Sequence, residues 1–344
     1  PENELVIFGP KEGFVETLRF NTALMRRRLK SSNFKIENIV LGRISKTDVA
    51  LCYIDTIASP QLVDEIRRRL QEIDIDAILD SNYIQELIMD HKSTIFSQTE
   101  QTEKPDRAVA HMLEGRICIA VDGSPMVLVL PTSFPRYWIS PEDYYVHYIP
   151  ASLFRIGRFV AFLLALTLPS LYVAVISYHQ EMVPTALYLT IAASREGVPF
   201  PSFVEALLLE LTFEMLREAG LRLPRAVGPA VSIVGALIIG DAAVRAGLVS
   251  TPMVVIVAFT GIASFVSPSY NAAVIVRTAR FAFLFAAALL GFLGIMILLI
   301  VMLIRMVSLS SFGMPYLSPI APLNLQELAD IVVRRPWFKM SKRP

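Results

Sequence analysis

The chain has 344 residues, 54% hydrophobic and 18% charged, with a mean hydropathy of +0.52 and a formal net charge of +1. That is too apolar for an ordinary soluble protein and too charged for a pure membrane bundle, which excludes either class alone and predicts one part of each kind. Residues 1–150 hold 17 Lys and Arg against 22 Asp and Glu, a net of −5, while residues 151–344 hold 15 against 9, a net of +6. No lysine occurs between Lys104 and Lys339, so every cation of the apolar half is arginine until its last residues. Arginine stays charged and makes forked pairs in dry surroundings, which suits buried partners.

Residues 1–150 read as a soluble domain. Gly9–Ser31 is a turn and then a helix, with Glu12 and Glu16 toward its start and Arg26–Arg28 and Lys30 toward its end. Phe14, Leu18, Asn21 or Thr22, and Met25 share one face. Phe34–Gly42 and Asp48–Ile54 follow as strands around a turn at Ser45–Thr47. Ser59–Ile73 is a helix with Ser59 as N-cap and Pro60 at the first helical position. Asn82–Asp90 is a short third helix, and Arg116–Pro131 is a hairpin turning at Asp122-Gly123. Together these give an α+β domain around a small mixed α/β sheet.

Cys52 and Cys118 lie in apolar, strand-like runs and read as reduced core residues of a cytosol-like compartment. The Arg26–Arg28 and Arg67–Arg69 triplets read as solvated helix faces, because a net acidic domain does not suit nucleic acid. The four histidines are scattered and no HExxH or CxxC spacing occurs, so no metal site and no cofactor is expected. No nucleophile, acid and base can be grouped by spacing, and the chain is not expected to be an enzyme. With no initiator Met, no signal peptide and no apolar stretch before residue 151, the sequence is expected to begin inside a longer chain.

Residues 132–150 are rich in aromatics and proline; a headgroup-level segment and a linker packed on the domain both fit. Residues 151–310 form the expected multi-pass membrane domain, with spans at 153–178, 227–246, 252–276 and 281–304, each long enough for a core roughly 30 Å thick. Arg155, Arg158 and Arg305 place both chain ends in the cytoplasm, and Arg277 and Arg280 vote the other way. Between the first two spans, His179–Gly220 carries charge at membrane depth and is broken by Pro184, Pro199 and Pro201 into short helices at 185–194 and 202–218. Broken, charged helices at that depth are tolerated when buried in protein or lining water. Glu210, Glu214 and Glu218 form an acidic stripe, and Arg217 can pair with Glu214. With Glu205 they line a cation-attracting vestibule, or they are the wet face of an interfacial helix.

The span 227–246 carries two stripes. Gly228, Ser232, Ala236 and Gly240 form a small-residue seam for close helix packing. Val227, Val231, Val234, Ile238, Asp241 and Arg245 run at 4-3 spacing on another face. That second stripe either faces lipid or lines a pore, with Val231, Val234 and Ile238 as a dewetting constriction and Asp241 as a carboxylate ring. Residues 311–344 form a proline-rich turn segment, a short helix 326–333 and a basic end that touches anionic lipid or frays.

The motifs GPKEGF (Gly9–Phe14), NTALMRRRL (Asn21–Leu29), KTDVALCYID (Lys46–Asp55), EIDIDAILDSNYIQELI (Glu72–Ile88), LTLPSLYVA (Leu166–Ala174), HQEMVPT (His179–Thr185), AASREGVPFP (Ala192–Pro201), REAGLRLPR (Arg217–Arg225), AVSIVGALIIG (Ala230–Gly240), SFVSPSY (Ser264–Tyr270) and SFGMPYLSPIAP (Ser311–Pro322) run in order along the chain. In these the sequence resembles the A subunits of GerA-type nutrient germinant receptors of endospore-forming bacteria. The resemblance implies an inner-spore-membrane protein whose N- and C-terminal parts face the spore core. It also implies a transporter-like B subunit and a lipoprotein C subunit as partners, and a homo-oligomeric ring, a pentamer, that releases ions when nutrient binds. Members of the family usually carry a further N-terminal domain, which fits a start inside a longer chain.

Three functions compete: a ligand-gated cation-channel subunit, a non-conducting scaffold recruiting other subunits through residues 1–150, and a secondary transporter. The last would need matched broken helices in two repeats, and the broken element occurs once.

Overall fold

Val49–Ile54 is apolar at every position, as a strand buried on both faces must be, and the computed structural model sets it in a five-stranded sheet. The structure describes residue 4, residues 7–222 and residues 240–339. The strands are β1 (Phe34–Leu41), β2 (Thr47–Ile54), β3 (Glu100–Thr102), β4 (Ile117–Val121) and β5 (Val127–Leu130), in the order β1-β2-β4-β5-β3. The unit is the expected α+β domain around a small sheet, and every pairing in that sheet is antiparallel. The physical reason is connection length, because the short turns joining β1 to β2 and β4 to β5 can only make antiparallel neighbours.

Four helices cover the two faces: α1 (Leu18–Arg28), α2 (Pro60–Gln71), α3 (Ser81–Ile88) and α4 (Pro105–Leu113). One face sets Val49, Leu51, Ile117, Ile119 and Leu128 against Val63, Ile66 and Leu70 of α2 and Ile84 and Ile88 of α3. The other is lined by smaller residues, Ala50, Cys52, Cys118 and Ala120, under Met25 of α1 and Ala108 and Met112 of α4. Cys52 and Cys118 are register partners across β2 and β4, buried and unoxidised. Burial pushes the Cys52 thiol up to about 12, which keeps it an inert thiol.

Phe14, Leu18, Asn21 and Met25 are all buried, as the spacing predicts. The buried Asn21 amide is satisfied locally, accepting from the Val15 amide at 2.8 Å and donating to the Val15 carbonyl at 2.5 Å. Ser59 occupies the N-cap of α2 without a side-chain bond, whereas Asp80 caps α3 by accepting from the Asn82 amide.

β3 and α4 lie where no periodicity marked them, and they carry a buried ionic cluster. Glu100 meets Arg107 at 2.6 Å and His111 at 3.2 Å, and Glu114 meets Arg136 at 2.5 Å. Burial works to raise both carboxyls, but the Arg107 and His111 charges hold Glu100 well below the usual carboxylate range. Arg136, His111 and Arg116 likewise bring Glu114 down to about 2.

The segment after the apolar helices belongs to this same unit rather than forming a separate tail. One compact unit comprises residues 1–157 and 304–344, and the other residues 158–303. A small hairpin, Ser310–Ser311 with Met314–Pro315, is fastened by Ser311 Oγ, which accepts from the Thr132 amide at 3.0 Å and donates to the Gln98 carbonyl at 2.7 Å. The turn Pro141–Tyr144 gathers several elements. Glu142 accepts from the amides of Ile7 and Phe8, Asp143 pairs with Arg155 at 3.1 Å, and Tyr144 donates to Asp330 at 2.9 Å. Arg155 also donates to the Asp330 carbonyl. Arg334, expected in a lipid-touching or frayed end, is instead buried over the Tyr144 and Trp337 rings.

The second unit contains most of α5 (Tyr148–Tyr178), then α6 (Thr185–Arg195), α7 (Ser202–Arg222), α8 (Thr251–Phe265), α9 (Tyr270–Leu290) and most of α10 (Phe292–Ser308). Among the described residues α5 and α9 are long and apolar enough to cross a membrane, while α8 and α10 are apolar but shorter. The expected spans 252–276 and 281–304 are therefore corrected, since each contains a helix break. The first break falls at Val266–Ser269, where Pro268 lacks an amide and disfavours helical backbone at Ser267. The second is Gly291, with φ +59°, where an added Cβ would lie 3.0 Å from His179 Cε1 and 3.1 Å from Tyr178. Only glycine fits that backbone and that approach.

Candidate functional site

The spacing of α7 puts Glu210 and Arg217 two turns apart on one face, with Glu214 between them. Arg277 and Arg280 are one turn apart on α9. These two helices meet through their charges. Arg280 Nη1 lies 2.8 Å from Glu210 Oε2, and both side chains are 1% exposed. Arg277 Nη1 and Arg217 Nη1 each approach Glu214 at 3.1 Å, on different oxygens. Arg217 Nη2 donates to Ser264 Oγ of α8 at 2.9 Å, and its guanidinium lies over the rings of both Phe213 and Phe265, 4.9 and 5.0 Å from their centroids. The close fit of α7 on α8 depends on Gly261, where a Cβ would meet the Phe213 ring at 2.5 Å.

A second pair lies at the other end of α7. Glu205, fully buried, takes Arg195 Nη2 at 3.0 Å on one oxygen and the Ser250 amide at 2.8 Å on the other. Ser250 is the N-cap of α8, so the carboxylate sits where a helix start favours negative charge. Glu205 thereby ties the helix preceding residues 223–249 to the helix that follows them. Farther out, Glu218 pairs with Arg222 and Asp241 with Arg245, both exposed.

Burying an ion costs several kcal/mol, and only a close, hydrogen-bonded partner offsets it. Each of the four carboxylates expected to line a vestibule has an arginine beside it, the buried Glu205 and Glu210 as well as the half-buried Glu214 and the exposed Glu218. What the spacing showed as an acidic stripe is a row of ion pairs. The 4-3 stripe residues Val227, Val231, Val234 and Ile238 and the seam residues Gly228, Ser232 and Ala236 lie outside the described residues; Gly240 and Asp241 lie within them. Sequence reasoning found the Arg217–Glu214 pair and missed Arg195, Arg277 and Arg280, taking the last two as topology markers between spans. The structure places both inside α9, facing carboxylates. The signal that could have found them was the exclusive use of arginine in the apolar half.

The fold and these pairs define a class: an antiparallel α+β unit joined to a unit of apolar helices that carries buried ion pairs, two of its described helices being long and apolar enough to cross a membrane. Within that class the chain belongs to the GerA family, whose profile, described as Bacillus/Clostridium GerA spore germination protein, matches residues 1–344. It is 47% identical over 344 residues to spore germination protein KA of Bacillus subtilis, covering 100% of this chain and 63% of that relative. Spore germination protein A1 of the same organism is 41% identical over 336 residues, 98% of this chain and 70% of the relative. The B. subtilis membrane protein YfkQ is 47% identical over 344 residues, 100% of this chain and 67% of its own length. The chain thus spans about two thirds of the length of these relatives. The crystal structure of the N-terminal domain of the A subunit of the Bacillus megaterium spore germinant receptor GerK3 is 45% identical, covering 36% of this chain and 97% of that one, with a TM-score of 0.30.

Proposed function

We propose that the chain is the membrane subunit of a nutrient-sensing germination receptor, and that copies of it assemble around an aqueous lumen which passes ions when a partner binds nutrient. The observation that carries this reading is Glu205, a buried carboxylate tying together the two helices that flank residues 223–249. Those residues hold the 4-3 stripe of Val227, Val231, Val234 and Ile238 and the seam of small residues. A shift of α7 against α8 would act on both ends of that stripe at once. A closed ring of Val and Ile side chains dewets, and a small outward displacement rewets it. A partner subunit supplies the bias through its unequal affinity for the two arrangements.

In this reading the protein crosses the inner spore membrane several times with its α+β unit in the spore core. It works with a transporter-like B subunit and a lipoprotein C subunit in a ring of about five copies, and it catalyses no reaction. A non-conducting scaffold is the competing reading, favoured by the arginine found on every expected vestibule carboxylate. Ion flux decides between them. The full-length protein with its partner subunits in liposomes should leak potassium without nutrient when Val231→Ala or Val234→Ala is introduced, and spores carrying either change should germinate spontaneously. Tight liposomes and normal dormancy in both variants would leave the scaffold.

A further inference from the structure

The charges between α7 and α9 do not balance. Arg217, Arg277 and Arg280 face Glu210 and Glu214, three cations against two anions. Among the described residues no other carboxylate pairs with these arginines: α5, α8, α9 and α10 contain no Asp or Glu, and Glu205 and Glu218 of α7 are taken by Arg195 and Arg222. The donors are unbalanced in the same way. Nε, Nη1 and Nη2 of Arg280 and Nε of Arg217, four donors, are buried with no hydrogen-bond partner among the described residues, against one unmatched acceptor in the cluster, Glu210 Oε1. Although Arg280 Nη1 is 2.8 Å from Glu210, its N–H does not point at that oxygen. Rotating the guanidinium into a forked pair with Glu210 would satisfy two donors and leave the surplus charge where it is. A buried guanidinium with unmet N–H groups and an uncompensated charge is costly in apolar surroundings, and buried unsatisfied donors of this kind mark a bound ion or water.

We infer that the arginine cluster between α7 and α9 binds one small monovalent anion, of the halide or simple carboxylate class. Its ligands are Arg280, nine-tenths and more buried, and Arg217. A guanidinium fork matches a carboxylate edge, and a halide takes the same N–H groups. One bound anion brings the cluster to zero net charge and locks α7 to α9. The inference holds for the channel and for the scaffold alike, since it concerns the packing of the bundle rather than conduction.

The test uses the full-length protein in micelles of a neutral detergent, with bromide or formate replacing gluconate at constant ionic strength. Wild type should gain thermal stability saturably with either probe, and sulfate, divalent and larger, should not substitute. Arg217→Gln removes the surplus charge while leaving Arg277 on Glu214 and Arg280 on Glu210; its apparent affinity should fall by at least about tenfold. Glu210→Gln raises the surplus to two and should tighten binding by about tenfold. The two variants move in opposite directions, which general destabilisation cannot imitate. No response of wild type to either probe, as when a carboxylate of a second copy already fills the site, overturns the inference. So does a response that Arg217→Gln leaves unchanged.

Discussion

Removing the cation from the Glu210–Arg280 pair is the most direct perturbation of the helical unit. In Arg280→Gln, Glu210 keeps its 1% exposure and loses its closest counter-charge. At 2.8 Å the attraction is about 6 kcal/mol for an effective dielectric constant near 20. Part of that is offset by the cost of desolvating both groups, and breaking one side of such a buried pair destabilises by about 3–5 kcal/mol. Removing both charges in Glu210→Gln/Arg280→Gln leaves neither partner of this pair facing an unanswered charge and should recover most of the loss. The double-mutant cycle should give a coupling of roughly 2–3 kcal/mol. The assay is SDS titration of the full-length protein in mixed micelles, followed by helical circular dichroism. An Arg280→Gln protein within about 1 kcal/mol of wild type would refute the reasoning, as would a double variant no better than the single one.

Two further predictions concern other parts of the chain. Glu100 and Glu114 are held below their ordinary value of 4.5, Glu114 at about 2, so the stability they contribute is complete above pH 4.5 and is lost as pH falls toward 2. Both tryptophans, Trp138 and Trp337, lie in that unit, so intrinsic fluorescence of the full chain should stay constant from pH 7 to about 4.5 and shift to the red below it. A transition already complete by pH 5 would contradict the assignment. Gly291→Ala should destabilise the helical unit by about 1–3 kcal/mol, since it strains a backbone at φ +59° and crowds Tyr178 and His179. The same SDS titration measures it, and a neutral effect would mean the α9–α10 break is not held by that approach.

Much of the α+β unit could be read in advance because its signals are local. The apolar run Val49–Ile54, the Asp122-Gly123 turn and the Ser59-Pro60 helix start each fix an element without reference to the rest of the chain. β3 and α4 escaped because their charged residues Glu100, Arg107 and His111 look like a solvated face, and their burial comes only from pairing with one another. In the helical unit hydropathy gave the right residues and the wrong ends. A window average runs smoothly across Pro268 and Gly291, whereas the backbone cannot. The acidic stripe was visible at i, i+4, i+8, but two of the arginines that answer it, Arg277 and Arg280, sit on α9, more than 60 residues later, as in the 63-residue separation of Glu214 and Arg277. No periodicity within one helix reports a partner on another.

The two buried charge clusters follow one rule and differ in its completion. In the α+β unit, Glu100 and Glu114 share Arg107, His111, Arg116 and Arg136, and Arg116 also donates to the Pro131 carbonyl at 2.9 Å. That unit takes its partners from several elements and from backbone carbonyls freed in loops. A bundle of apolar helices has no such reserve, because its carbonyls are committed to helical hydrogen bonds and its side chains are mostly hydrocarbon. Among the described residues the carboxylates that pair with α9 come from α7, and they number one fewer than the three arginines of the cluster. An arrangement short by one charge is poised: adding an anion or shifting α7 by a turn changes which pairs close, whereas a balanced cluster resists both.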